Sequence, residues 1–252
     1  GAKQIDIKDV NNISVIGVGT SAVFDGIGIN IARAHNIIIQ NVTIRYNRIG
    51  QKDGICIQNG GSHIWIDHCE LYNSLDVGKD YYDELLSAKN QTEYITISWC
   101  YLHDSWKTWL VGSGDGDLHD RKITFHHNMI ENCNSRLPLF RGGQAHIFNN
   151  YYKNVLDTGI NSRMGAKILI QNNYFEKCHN PIGSWYSKKI GYWYQEGNVF
   201  DQCTKNKIYD HDVGPKVEVT DTTYTNTCEK LRLPYEYKYF LETAEEAKNS
   251  VL

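Results

Sequence analysis

Three cations and a group of carboxylates carry the chemistry this sequence could do. Lys107, Arg136 and Arg141 lie in the middle of the chain. Asp67 ends a strand-like run, and Asp76, Asp80 and Asp83 follow in one polar stretch. Carboxylate oxygens with no thiolate or imidazole among them suit a hard cation such as Ca²⁺. Charges of both signs gathered in one place are costly to hold and so mark a functional site. The net charge of −3 exerts no global pull on a polyanion, so an acidic ligand must meet a local basic patch, and nucleic acid is not indicated.

The elements that must position these groups show in a repeat. Two or three apolar or β-branched residues, then Asn, His or Cys, then aromatic or apolar residues recur as IIIQNVTI (37–44), IWIDHCEL (64–71), ITISWCYL (95–102), ITFHHNMI (123–130), HIFNNYYK (146–153), ILIQNNYF (168–175) and the looser YQEGNVFD (194–201). Alignment puts Val42, Cys69, Cys100, Asn128, Asn150, Asn173 and Asn198 in one column with steps of 22 to 31 residues, a solenoid period. Strand-like runs without a helical 3.6 pattern make each repeat a coil of strands and turns, so the expected fold is an all-β, right-handed parallel β-helix. The asparagines then form an internal ladder, with side-chain amides satisfying one another along the axis. Cys69 with Cys100, and Cys178 with Cys203, are expected to stack as buried thiols, although neighbouring strands also come within disulfide reach. The same period puts Lys107 and Arg136 at nearly the same place on adjacent coils.

A chain of 252 residues, 41% hydrophobic and 22% charged, suits one domain spanning 1–252, with coils over about 13–203. Four Pro against 21 Gly and 17 Tyr favour short strands and many turns. Residues 204–252 lose the period and form an extension packing on the wall, with a short amphipathic helix over 241–252. The amino end enters a strand almost at once, which suggests a truncated N-terminal cap or a second chain covering it. No stretch of about 18 apolar residues occurs, so no membrane span is expected. Seven cysteines with no CxxC pair define neither a disulfide framework nor a zinc knuckle.

The strings WIDHCEL (65–71), KDYYDELLSAKN (79–90), LHDSWK (102–107), ITFHHN (123–128), NSRLPLFRGG (134–143), NNYY (149–152) and GINSRMGA (159–166) resemble the pectate lyase family of the parallel β-helix superfamily, polysaccharide lyase family 1. The resemblance covers residues 13 to about 200 together with a family-like tail. It implies a secreted, extracellular enzyme that cuts de-esterified polygalacturonate within the chain by Ca²⁺-dependent β-elimination, and a monomer is expected unless a second chain caps the amino end. It also implies that Asp67 and Asp83 are calcium ligands, that Lys107 and Arg141 bind substrate carboxylates, that Arg136 is the base with Lys107 assisting, and that Trp106 lines the substrate site. One position departs from the family pattern. Where a run like DGLLD usually supplies a third acidic ligand, this chain has Ser87, and Glu84 stands where glycine is common, leaving Glu84, Asp80 or substrate oxygens to complete the shell.

The residue types make sense of that chemistry. The C5 hydrogen of a galacturonate unit is hard to remove beside a carboxylate, and cations that neutralise the carboxylate ease its loss. An arginine base implies an alkaline optimum. A polygalacturonase needs two or three close carboxylates, typically with an Asp pair, and the chain has no Asp-Asp dipeptide. A pectin lyase would dispense with calcium. A non-catalytic polygalacturonate-binding solenoid is the alternative from another class. Among other signals, His126 and His127 are expected on opposite strand faces, His68 as a support to the metal site, Gly17 and Gly19 as a turn, and GSGDGDLHD (112–120) as a solvated turn. Trp106, Trp109, Trp185 and Tyr186 are candidates for stacking on sugar rings.

Overall fold

The computed structural model describes residues 3–205 and 225–252. Every coil contributes one strand to each of three parallel sheets, and each sheet has eight strands. The first sheet starts at Ile5–Lys8, the second at Asn11–Ile16 and the third at Val23–Asp25, and the order then repeats along the chain. The parallel β-helix expected from the repeat is the fold observed.

Register explains the core. In the second sheet Ile37, Ile64, Ile95, Ile123, Ala145, Ile168 and Trp193 lie in line, and in the third Ile44, Leu71, Leu102, Ile130, Tyr152, Phe175 and Phe200 do the same. Period-2 alternation turns these columns inward, and stacking at about 4.8 Å makes one continuous apolar interior. Tyr152, Phe175 and Phe200 stack nearly parallel within it.

The corner from the second to the third sheet is a single left-handed residue in most coils. Asn41, His68, Trp99, His127, Asn149, Asn172 and Gly197 all have positive φ, and each precedes a member of the column read from the sequence. Just inside this corner runs the ladder. Asn128, Asn150 and Asn173 each donate through Nδ2 to the Oδ1 of the next asparagine at 2.9 Å, ending on Asn198. Cys100 N–H joins it through Asn128 Oδ1 at 2.9 Å, and Cys69 N–H reaches Cys100 Sγ at 3.4 Å. These cysteines are free thiols.

The left-handed corner also corrects the placement of the histidine pair. His126 ends its strand and His127 is the corner, so both rings lie on the outside, with their Nδ1 atoms 2.9 Å apart. Within the extension, 206–224 lie outside the described residues. The helix Ala244–Ser250 is closed by a Thr243/Glu246 capping box and buries Ala244 and Ala247. Asn149 and Asn172 both donate to the Glu242 carbonyl at 2.7 Å, tying the extension to the wall.

Candidate active site

Charge gathers at a different corner, the one leading from the third sheet back to the first. Successive coils place there Asp53, then the insertion after Glu70–Tyr72 that carries Asp80, Asp83 and Glu84, then Lys107 at the end of Tyr101–Lys107, then Arg136 after Met129–Ser135. Backbone bonds stack these coils. Gly54 N–H donates to Glu84 O at 2.9 Å, Leu85 N–H to Lys107 O at 3.3 Å, and Trp109 N–H to Arg136 O at 2.7 Å. Four coils therefore hold acids below and cations above at one corner.

Each carboxylate of the corner is paired with a cation, and Asp80 and Asp83 share one. Lys107 Nζ lies 2.7 Å from Asp80 and 3.1 Å from Asp83. Burial opposes its ammonium, but the two aspartates prevail and raise its pKa. Asp53 is buried. It accepts from Ser87 Oγ at 2.5 Å, Lys89 Nζ at 2.8 Å and Glu84 N–H at 3.2 Å. Burial raises its carboxyl, Lys89 and Ser87 work against that, and the charge of Asp83 adds to the rise. Glu84 has no exposure. One of its oxygens pairs with Arg136 Nη1 and the other, Oε2, is buried without a partner. Burial pushes this carboxyl up to about 7. Arg136 itself has φ 65, a left-handed position from which its side chain leaves the wall.

The first sheet extends the basic surface. Arg141 is in register with Arg163 on the next strand, about 4.8 Å along the axis. Arg136, Arg141, Arg163, Lys79, Asp157 and Tyr186 line one cavity of about 310 Å³. The loop 112–120 is more than a solvated turn, because it braces Arg141. Asp115 accepts from Arg141 Nε at 3.1 Å and the Gly112 carbonyl from its Nη1 at 2.9 Å. Buried Arg121, ion-paired to Asp117, donates to the Arg141 carbonyl at 2.9 Å. A side chain at Gly112, whose φ is 86, would meet Arg141 Cβ at 2.8 Å, so glycine permits the approach.

The sequence-based site is corrected in three places. Asp67 ends a strand of the second sheet, at the other corner, and its oxygens accept from Ser98 at 2.7 Å and Gln40 at 2.8 Å and face His68 at 2.7 Å. The corner that holds Lys107 is reached only after a further strand, so Asp67 does not join the cluster. His68 accordingly supports Asp67 and stacks near Trp99, with no part in a cation site. Trp106 acts from behind, its Nε1 donating to the Val77 carbonyl at 2.7 Å and propping the insertion. Trp109 and Trp185 are buried, and Tyr186 is exposed at the cavity. Asp53, Lys89, Arg163 and Lys79 were missed. Aligning each coil on the residues just before its first-sheet strand, instead of on the asparagine column, would have brought Asp53 beside Asp83 and Glu84.

Asp53, Asp83 and Glu84 Oε2 are hard oxygen donors, and the orphaned Oε2 wants a positive partner, so the donor chemistry fits a hard cation. Among the described residues no three acidic, histidine or cysteine side chains converge on one point. Lys89, Lys107 and Arg136 draw the carboxylates apart, so an ion here would take further oxygens from a ligand.

The histidines of the second sheet lie elsewhere. Burial lowers His126 and His146 to about 4, and His146 bonds Gln171 and Tyr235 at 2.8 and 2.7 Å, so these are neutral groups packed under the carboxy-terminal extension.

A pectate trisaccharide-lyase of Bacillus licheniformis is 55% identical over 199 residues, which are 79% of this chain and 58% of that protein. The chain thus spans under two thirds of the length of that relative. Among solved structures, a pectate lyase from a Bacillus species in complex with trigalacturonate superposes with a TM-score of 0.82 at 40% identity, covering 98% of this chain and 74% of the other. Pectate lyase C of Erwinia chrysanthemi, solved with Ca²⁺, gives 0.81 at 30% identity, covering 99% and 73%. The family model for pectate lyase matches residues 2–252, and this chain, with its corner of carboxylates beneath lysine and arginines, belongs to the pectate lyase family.

Proposed function

We propose that the protein is a pectate lyase acting on de-esterified polygalacturonate within the chain, with Ca²⁺ as cofactor, outside the cell where that polymer lies, and as a monomer. The observation that carries the reading is the corner itself: Arg136 and Lys107 stacked over Asp53, Asp83 and Glu84, beside a cavity lined with further arginines. A polyuronate has a carboxylate on every ring, and such a surface meets it. Two likenesses support the choice of ligand and cofactor, namely the relative in complex with trigalacturonate and the one solved with Ca²⁺.

Arg141 and Lys107 hold the carboxylate of the reacting unit and offset its charge, which makes the adjoining C5 proton more acidic. Arg136 takes that proton. The C5–H electrons form the C4=C5 bond, the C4–O bond breaks, and the leaving sugar oxygen takes up a proton. Bound between Asp53, Asp83 and Glu84, Ca²⁺ would add further neutralisation of the same carboxylate. Glu84 holds Arg136 Nη1, so Arg136 reaches the C5 proton only when Glu84 is engaged elsewhere.

The test is ultraviolet absorbance of the unsaturated product from polygalacturonate, with and without a chelator. Expected is activity that the chelator removes and added Ca²⁺ restores. A chelator-insensitive rate would remove the cofactor assignment, and polymer binding without unsaturated product would leave a polygalacturonate-binding solenoid.

A further inference from the structure

The cavity beside Arg136 has two walls of different origin. Arg141 and Arg163 come from strands of the first sheet and Arg136 from the corner before Leu139–Arg141, whereas Lys79 comes from the insertion. Asp157 is the one carboxylate among the lining residues, against four cations. Lys79 is exposed, and no carboxylate among the described residues lies within ion-pair distance of its ammonium.

Lys79 is nevertheless held in place. Tyr81 N–H donates to the Gly78 carbonyl at 2.9 Å, closing a turn with Lys79 and Asp80 as its central residues. The turn is pinned on both sides, by Trp106 Nε1 on the Val77 carbonyl at 2.7 Å and by Arg48, which lies 3.9 Å from the Tyr81 ring centre and bonds its hydroxyl at 2.9 Å. Asp80 bonds Lys107 at 2.7 Å, and that bond fixes the turn against the catalytic corner while Lys79 lines the cavity. Lys79 thus shares the cavity lining with Arg136, Arg141 and Arg163, and an anion seated there meets cationic groups on more than one side.

We propose that Lys79 is a substrate-binding residue that grips a uronate carboxylate from the wall opposite Arg141 and Arg163, and that this second grip makes the groove select chains with free over esterified carboxylates. The inference rests on reading the groove as the polygalacturonate site. A methyl ester removes the charge that Lys79 would meet, so its contribution falls with the degree of esterification.

Lys79→Ala, Lys79→Arg and Arg141→Ala would be compared by steady-state kinetics on polygalacturonate and on partly methylated pectin, by calorimetric titration with trigalacturonate, and by thermal melting. Expected for Lys79→Ala is a KM on polygalacturonate raised about three- to tenfold with kcat within about twofold, the range for one solvent-accessible charge pair. Trigalacturonate should bind more weakly by the same factor, the loss should be smaller on methylated pectin and at high salt, melting should be unchanged, and Lys79→Arg should restore KM. An unchanged KM and trigalacturonate affinity in Lys79→Ala, with both weakened in Arg141→Ala, would overturn the role of Lys79 alone. No effect from either substitution would remove the groove reading and Lys79 with it. A fall in kcat with a lowered melting temperature would show that Lys79 merely supports the insertion.

Discussion

Glu84 is fully buried with one carboxylate oxygen unpartnered, and its surroundings make its behaviour predictable. Its carboxyl is driven up to about 7 by burial, with Arg136 pulling the other way. An acid whose folded pKa lies above its unfolded value binds more protons when folded, so its contribution to stability falls as pH rises from about 4.5 through about 7. The full swing is of order 3 kcal/mol. Thermal melting of Glu84→Gln against pH should therefore be flatter than that of the wild type across this window, and parallel curves would contradict the burial argument. Ser87→Asp would set a second carboxylate against Asp53 where a hydroxyl now donates. It should lower stability without metal and tighten calcium binding measured by calorimetry, whereas unchanged affinity would place the ion elsewhere. Arg136→Ala should cut turnover by about 10² to 10⁴, the usual worth of a positioned base, with trigalacturonate affinity within a fewfold of wild type.

Among the elements, the asparagine ladder and the loop 112–120 each do one job. Every ladder amide bonds a neighbouring amide and also the backbone carbonyls around it, as Asn150 does with Phe125 and Phe148 at 2.9 and 3.0 Å. Replacing Asn150 by Leu takes the Oδ1 acceptor from the Asn128 backbone N–H and the Nδ2 donor from the carbonyls of Phe125 and Phe148 in a dry interior, which should cost about 1 to 3 kcal/mol in urea unfolding. A neutral result would mean that water enters the coil. The loop acts on function instead. Without the carboxylate of Asp115, Arg141 keeps its backbone clamp but loses one guanidinium anchor. Asp115→Asn should raise KM for polygalacturonate severalfold and leave melting nearly unchanged. Loss of melting temperature with constant KM would make the loop a structural brace only.

Across the whole molecule, the stacked coils make one core of long columns, so a cavity anywhere weakens the stack on both sides. Ile97 touches the middle of the second-sheet column and is fully buried. Ile97→Ala should lose about 2 to 5 kcal/mol, read from chemical unfolding. The fold was legible because a β-helix repeats its constraints: each coil needs an inward apolar pair, a corner and a buried polar group that pairs with its neighbours, and the chain restates them every 22 to 31 residues. Lys107 and Arg136 were legible as neighbours for the same reason, since they follow column positions by seven and eight residues, whereas Arg141 and Asp83 were read from family-like strings. Asp67 misled because it ends a strand next to the column used for alignment, while the charged corner lies one strand further on.

The sequence by itself determined that the chain winds into parallel coils, that asparagines line the interior and that cations of successive coils share a face, because all three follow from a short period that any stack must obey. Only the tertiary structure decided which corner collects the acids. Coil lengths differ most at that corner, where the insertion bearing Lys79, Asp80, Asp83 and Glu84 enters, so spacing along the chain no longer measures distance in space. Asp53 meets Ser87 and Lys89, Arg163 meets Arg141, and Glu84 meets Arg136 because neighbouring strands pair in register, and that pairing is a property of the folded stack.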